Sequence, residues 1–232
     1  MINSLVRAMC LMTAATTAIA MPNNLAGDGY GRSDQTWPFS ELIHEPPIDF
    51  HTQRQAAGQQ GPATGGGSRT QSRPPCAPET PAGLGERVSN PDTAAAFLAH
   101  APFQAAARSL GVSNASFLAQ STNGNGAFQY AGNAYLGWIN QPAYSPWNCS
   151  LACDALNAAG TKCNSYNTYF LRSPTLAPGT ACPNPVSMTT IVCALWKNKL
   201  YWTDGLNTNQ NRSNFNVVIA GSNLYQRNNL DP

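Results

Sequence analysis

"PWNCSLACDALNAAGTKCNSYNTYF", residues 146–170, carries three of the chain's seven cysteines, Cys149, Cys153 and Cys163. The first two are four residues apart, which places them on one face of a helix. Ser145 is a natural N-cap and Pro146 suits the first turn, so a helix is expected to start there and to stop at Gly160. The β-rich run that follows reads as a strand. Whether these cysteines form a metal clamp, a redox pair or a covalent staple decides between enzyme and scaffold.

Spacing separates the three. A structural zinc site uses paired Cys/His spacings such as C-x₂₋₄-C twice over. Here C-x₃-C occurs once, and Cys163, Cys182 and Cys193 stand alone. A dithiol redox site would be C-x-x-C, which is absent. A nucleophilic cysteine needs a free thiol with a histidine partner, and beyond residue 75 the chain has one histidine, His100. His100 reads as a surface or packing residue. A staple remains, with Cys149 and Cys153 each tying the helix to a different strand. No metal or cofactor site is expected.

The N-terminus suits such bridges. Residues 1–20 have one positive charge at Arg7, a mostly apolar run from Ala8 to Ala20 diluted by three threonines, and small residues at Ala18 and Ala20, the pattern of a secretory signal. Removing it discards Cys10 and leaves six cysteines, an even number, as a disulfide framework in an exported chain requires. No later apolar run reaches the ~18 residues of a membrane span, and the C-terminal "LYQRNNLDP" is too polar for a lipid-anchor signal. The expectation is a secreted protein, extracellular or associated with a cell wall. Three sequons, at Asn114, Asn148 and Asn211, fit a glycoprotein. Asn148 is the poorest acceptor because Cys149 follows it.

Composition narrows the partners. Asp, Glu, Lys and Arg make up 10% of the chain and the net charge is +2, so there is no basic footprint for nucleic acid. Residues 21–75 form an expected linker rich in Gly, Pro and Gln, lacking hydrophobic periodicity and broken by Gly65-Gly66-Gly67. Within it Trp37, Phe39, Leu42, Ile43 and Phe50 could form a short docking segment.

Residues 76–232 form the expected domain. "SNPDTAAAFLAHAPFQAAARSLG" is a helical pattern, with Asn90 as N-cap, Pro91 at the first helical position, Gly111 as stop and a break at Pro102. "ASFLAQS" and "AYLGWINQ" read as strands separated by the turn cluster "TNGNGAF". Further strands are expected at "CNSYNTYFLR", "MTTIVCALW", "LYW" and "FNVVIAG". One helix among several short strands is an α+β arrangement with an antiparallel sheet, preceded by short N-terminal helices.

The succession Cys76, "PDTAAAFLAHAPFQAAA", "CSLACDA", "CNSYNTYFLRSP", "GTACPNP", "TTIVCALW" and "FNVVIAGSNLY" resembles a family of secreted ascomycete fungal proteins described as apple- or PAN-like, of unestablished function. The resemblance covers about residues 76–225. It implies a curved antiparallel sheet with the cysteine-bearing helix packed on it, and the pairings Cys153–Cys163, Cys149–Cys193 and Cys76–Cys182. Cysteine counting alone allows 15 connectivities for six cysteines. The chain departs from the family at "TNQNRSNF", where relatives have Gly and an aromatic before the arginine equivalent to Arg212. If that loop belongs to a binding surface, the ligand of this chain differs from theirs or is lost.

Three functions fit these features. A binding or adhesion module for carbohydrate or extracellular protein would use aromatic faces and amide side chains. The candidates are Tyr201, Trp202, Trp147, Tyr144 and Arg212, whereas Trp138 and Trp196 lie in apolar strands and read as core. A structural wall-associated protein without a specific ligand is the alternative. A polysaccharide hydrolase would need a positioned acid–base pair. Glu79, Glu86, Asp92, Asp154, Asp204 and Asp231 form no catalytic motif, and Asp154 on the stapled helix reads as solvated.

Overall fold

A computed structural model describes residues 74–109, 115–129, 135–204 and 206–228. The expectations for the leader, for residues 21–73 with the 37–50 segment, for Gly111 and for the Asn114 sequon fall outside them. Within the described residues the elements are α1 (Ala94–Leu98), α2 (Ala101–Ser109), β1 (Phe117–Gly124), β2 (Ala127–Phe128), β3 (Tyr135–Gln141) and α3 (Pro146–Ala158). They continue with β4 (Ser165–Pro174), β5 (Ser187–Trp196), β6 (Leu206–Asn207), β7 (Asn209–Arg212) and β8 (Phe215–Arg227).

The main sheet is antiparallel in the order β1-β8-β4-β5-β3. β7 pairs with the first four residues of β8, on the edge that β1 uses farther along. β2 and β6 form a separate two-stranded ribbon. β8 extends well past the apolar "FNVVIAG", because "SNLYQR" continues the ladder with a mixed polar pattern. It bulges between its pairings with Thr168 and Phe170. Gly221 lies in the bulge at φ 59°, a left-handed backbone that favours glycine. A Cβ there would also approach the Phe103 carbonyl oxygen to 3.0 Å.

All three helices share one face of the sheet. α3 buries Cys149, Ala152, Cys153 and Leu156 against Tyr166, Leu195 and Tyr225. The pairings are Cys149–Cys193, Cys153–Cys163 and Cys76–Cys182. The first two join α3 to β5 and to Cys163, two residues ahead of β4, so one helical face is held at two points. Ser145 caps α3 by accepting from the Asn148 N–H at 3.1 Å. Gly160 follows the helix at φ 82°. Over the other end of the same face, Phe103 of α2 stacks on Phe170 with ring centroids 4.1 Å apart. Asn223 ties β8 to α2 by donating to the Ala107 carbonyl at 2.8 Å.

The opposite face is covered as well, so all ten residues of β4 are buried. Trp138, Tyr169, Leu171 and Val192 pack there with Phe215 and Ala127. Trp196 and Leu224 pack with Phe128 and Leu200. Asn167 fastens this second layer. Its Oδ1 accepts from the Phe128 N–H at 3.0 Å, while its Nδ2 donates to Ser222 Oγ and the Asn223 carbonyl. A buried amide satisfied at both ends costs little and fixes register.

Three local expectations are corrected. The cap of α1 is Thr93, not Asn90; its hydroxyl accepts from the Ala96 N–H at 3.2 Å, and Pro91 lies in the turn upstream. β1 runs through "STNG" to Gly124, leaving only Asn125 and Gly126 to turn. "LYW" is not a strand, because Leu200 is drawn into the core while Tyr201–Asp204 closes a turn. The short polar β6 and β7 escaped notice because neither has an apolar alternation. The break near Pro102 is present, with that proline in the first turn of α2.

Candidate functional site

The segment after β5 presents aromatic side chains to solvent. Leu200 is fully buried beside Trp196 and Phe128 and anchors it. Ser165 Oγ donates to the Asn198 carbonyl at 2.6 Å and accepts from the Leu200 N–H at 3.2 Å. The Gln226 side chain donates to the Leu200 carbonyl. Beyond the anchor, the Asp204 N–H donates to the Tyr201 carbonyl at 2.9 Å, closing a four-residue turn. The Asp204 carboxylate accepts from the Tyr201 N–H at 2.7 Å, locking the turn from its other end. Trp202, one residue into this turn, is 69% exposed, and Tyr201 is 52% exposed. Leu206, on the ribbon strand β6, is also exposed.

The other expected binding residues lie elsewhere. Trp147 is exposed in the first turn of α3, with Leu151 exposed one turn on. Tyr144 is a core residue, which corrects its expected place on a binding surface. Its ring stacks on Phe170 at 4.7 Å and its hydroxyl donates to the Gly221 carbonyl at 2.7 Å. Burial, and then the nearby Tyr225 and Tyr166, push its phenol well above the ordinary range. Arg212 ends β7 and is ion-paired with Glu79. The candidates thus lie on different elements: Tyr201 and Trp202 on the turn after β5, Trp147 on α3 and Arg212 at the end of β7.

The described acidic residues are each engaged. Glu79 holds Arg212, and Glu86 faces His100 Nε2 at 3.5 Å. The ring of His100 also meets Phe103 edge-on, in keeping with a packing role. Asp92 binds Arg172 and Ser187, and Asp204 locks the aromatic turn. Asp154, expected to be solvated, instead pairs with Arg227 at 2.5 Å, and that guanidinium lies over the Phe117 ring. Among the described residues no three His, Cys, Asp or Glu side chains are grouped to hold a metal ion.

Two sequons are visible. Asn211 is exposed on β7 beside the hairpin turn at Ser213–Asn214, and its Oδ1 accepts from Asn216 at 2.8 Å. Asn148 is exposed at the start of α3, but Ser150 of that sequon is buried and donates to the Trp147 carbonyl at 2.7 Å. Reading the sequence missed Leu200 and Asp204, which shape the turn, and Glu79, which holds Arg212. Asp204 three residues after Tyr201 was the available turn signal.

The architecture defines an α+β domain with a mostly antiparallel sheet and a helix held by two of three disulfides. The chain matches no protein-family model, no curated protein and no solved structure. Among the described residues no helix is long and apolar enough to cross a membrane.

Proposed function

We propose that the chain is a secreted, non-catalytic binding or adhesion module of the apple/PAN-like kind, acting at a fungal cell wall or extracellular surface. Its ligand is a carbohydrate or an extracellular protein. The observation that carries this reading is the pair Tyr201 and Trp202, displayed on a turn held by Leu200, Ser165 and Asp204. Large apolar rings facing water are costly to leave exposed and are enriched at recognition surfaces. A turn already fixed in place loses little further freedom when a ligand docks. An indole and a phenol offer flat faces on which a sugar ring can stack. The commitment of the described carboxylates to structural partners supports the non-catalytic reading over hydrolysis. Three disulfides fit an oxidising compartment and so support export.

The test is retention of the purified secreted chain on insoluble chitin and β-glucan, and on intact fungal wall protein. Saturable retention on one of these, lost in Trp202→Ala with the fold intact, supports the proposal. Failure to bind any of them would favour a structural wall protein without a specific ligand. Release of reducing sugar from wall polysaccharide would favour a hydrolase.

A further inference from the structure

The fold treats the two visible sequons differently. Asn211 is the third residue of β7, one position before Arg212. Successive side chains of a strand face opposite ways, and Arg212 is committed to Glu79. Asn211 therefore points to the other side, where it is exposed. Its Oδ1 accepts from Asn216 Nδ2 at 2.8 Å, whereas its own Nδ2 has no hydrogen-bond partner among the described residues. Ser213, the hydroxyl residue of this sequon, opens the two-residue turn to β8 and is exposed. Its hydroxyl is also without a partner among the described residues. The turn itself is held in place, because the Asn214 N–H donates to the Pro183 carbonyl at 2.9 Å.

Asn148 is exposed as well, so access to the amide does not separate the two sequons. The hydroxyl does. Ser150 is fully buried within α3, and its Oγ donates to the Trp147 carbonyl at 2.7 Å. Cys149, between them, is fully buried and bridged to Cys193. Transfer of a glycan to asparagine reads the sequon as a unit, amide and hydroxyl together, in a segment at the surface. At Asn148 this requires the first turns of α3 to open and the Ser150 hydrogen bond to break, in competition with closure of Cys149–Cys193. At Asn211 no contact has to be given up.

The chemistry of transfer also preserves the β7–β8 pairing. The donor class is a lipid-linked pyrophosphate oligosaccharide. Asn211 Nδ2 forms a bond to C1 of the first sugar as the bond from C1 to the phosphate oxygen breaks. The electron pair leaves on the lipid pyrophosphate, which takes up the proton that Nδ2 loses. The amide carbonyl is untouched, so Oδ1 still accepts from Asn216.

We infer that Asn211 is the N-glycosylated member of this pair and that Asn148 stays bare, which puts a glycan beside the turn joining β7 to β8. The inference rests on the secreted reading of the chain, since the donor is met in the secretory pathway.

The experiment expresses the full chain in a fungal host twice, from its own N-terminus and behind an added fungal secretion leader. Both forms carry Asn114→Gln, so that only the two sequons compared here remain. The product is mapped peptide by peptide, with and without peptide-N-glycosidase. Asn211 should carry glycan in most molecules, and Asn148 at least ~10-fold less often, a rate difference of about 1.4 kcal/mol. Asn211→Gln and Ser213→Ala should each abolish the gel shift that the glycosidase reverses. Ser213→Ala keeps the Asn216 contact, so its loss of glycan is not a loss of fold, as circular dichroism would check. The inference is overturned if the chain exported behind the added leader has Asn211 bare, if Asn148 is modified as often, or if Ser213→Ala keeps the glycan. A chain that leaves the cell only with the added leader, yet carries glycan at Asn211, would support the inference and sink the export reading instead.

Discussion

Arg172 reaches Asp92 across 80 residues of sequence, with Nη2 2.8 Å from Oδ1, and the guanidinium is almost entirely buried. Its other nitrogen donates to the Asn216 carbonyl at 2.7 Å, and its plane lies over Phe215. Ser187 donates to both oxygens of Asp92, through its hydroxyl at 2.6 Å and its N–H at 2.9 Å. The segment leading into α1 is thereby tied to β4, β5 and β8.

This cluster makes stability depend on acid. Burial alone would raise the pKa of Asp92, but the hydrogen bonds from Ser187 and then Arg172, with the charge of Arg172, bring it down to about 2 from 3.8. A carboxyl depressed in the folded state contributes stability that is complete above the unfolded value and lost as pH falls through the folded one. The contribution should therefore be whole above about pH 4 and vanish towards pH 2. Asp92→Asn should cost about 3 kcal/mol at pH 7, because Arg172 loses its partner. Urea unfolding at pH 7, 4, 3 and 2 should show the gap between wild type and variant closing over the last two steps.

The bridges should differ in both access and weight. Cys149, Cys153, Cys163 and Cys193 are fully buried, whereas Cys76 and Cys182 are partly exposed. Mild thiol reductant should open Cys76–Cys182 first, because exchange needs an attacking thiolate to reach the sulfur. On the chain-entropy account, losing the bridge of 10-residue separation costs about 3 kcal/mol, and losing the one of 106 about 5 kcal/mol. Non-reducing peptide mapping and thermal melts of paired Cys→Ala variants would measure both.

Tyr144 should behave as a structural residue. Tyr144→Phe keeps the stack on Phe170 but leaves the buried Gly221 carbonyl without its donor, which should cost about 1–2 kcal/mol. Ligand retention per folded molecule should not change. A Tyr144→Phe protein of full stability and reduced retention would place this side chain back on the binding surface.

The aromatic turn offers a test that leaves its rings untouched. Asp204→Ala removes the acceptor of the Tyr201 N–H and frees the turn carrying Trp202. Loosening it should weaken wall retention about fivefold, equivalent to ~1 kcal/mol of ordering restored on binding. Melting temperature should move little, since the turn is at the surface. Retention equal to wild type would argue that the fixed geometry of the turn has no part in binding.

Much of the helix bearing Cys149 and Cys153 was legible in the sequence, because its signals are local. A cap at Ser145, a proline in the first turn, cysteines four apart and a glycine past the end all act within a few residues. β4 and β5 were equally plain as continuous β-rich runs. The pairing of cysteines was not readable from spacing and rested on a family resemblance. Tyr144 looked like a surface aromatic because its neighbours Ala143 and Ser145 are small or polar. Only the bulge at Gly221, 77 residues away, supplies the carbonyl that holds it inside.

Local chemistry in the sequence by itself determined that this chain has a stapled helix, β-rich segments, an even set of cysteines past the leader-like segment and no charge pattern for nucleic acid. Such features follow from side-chain periodicity, backbone preference and counting. Tertiary structure alone decided that Trp202 faces solvent while Tyr144 does not, and that Arg172 meets Asp92. It also decided that Arg212 and Glu79, 133 residues apart, form an ion pair. Those outcomes depend on which strands pair and in what register, a choice made by burial summed over the whole sheet.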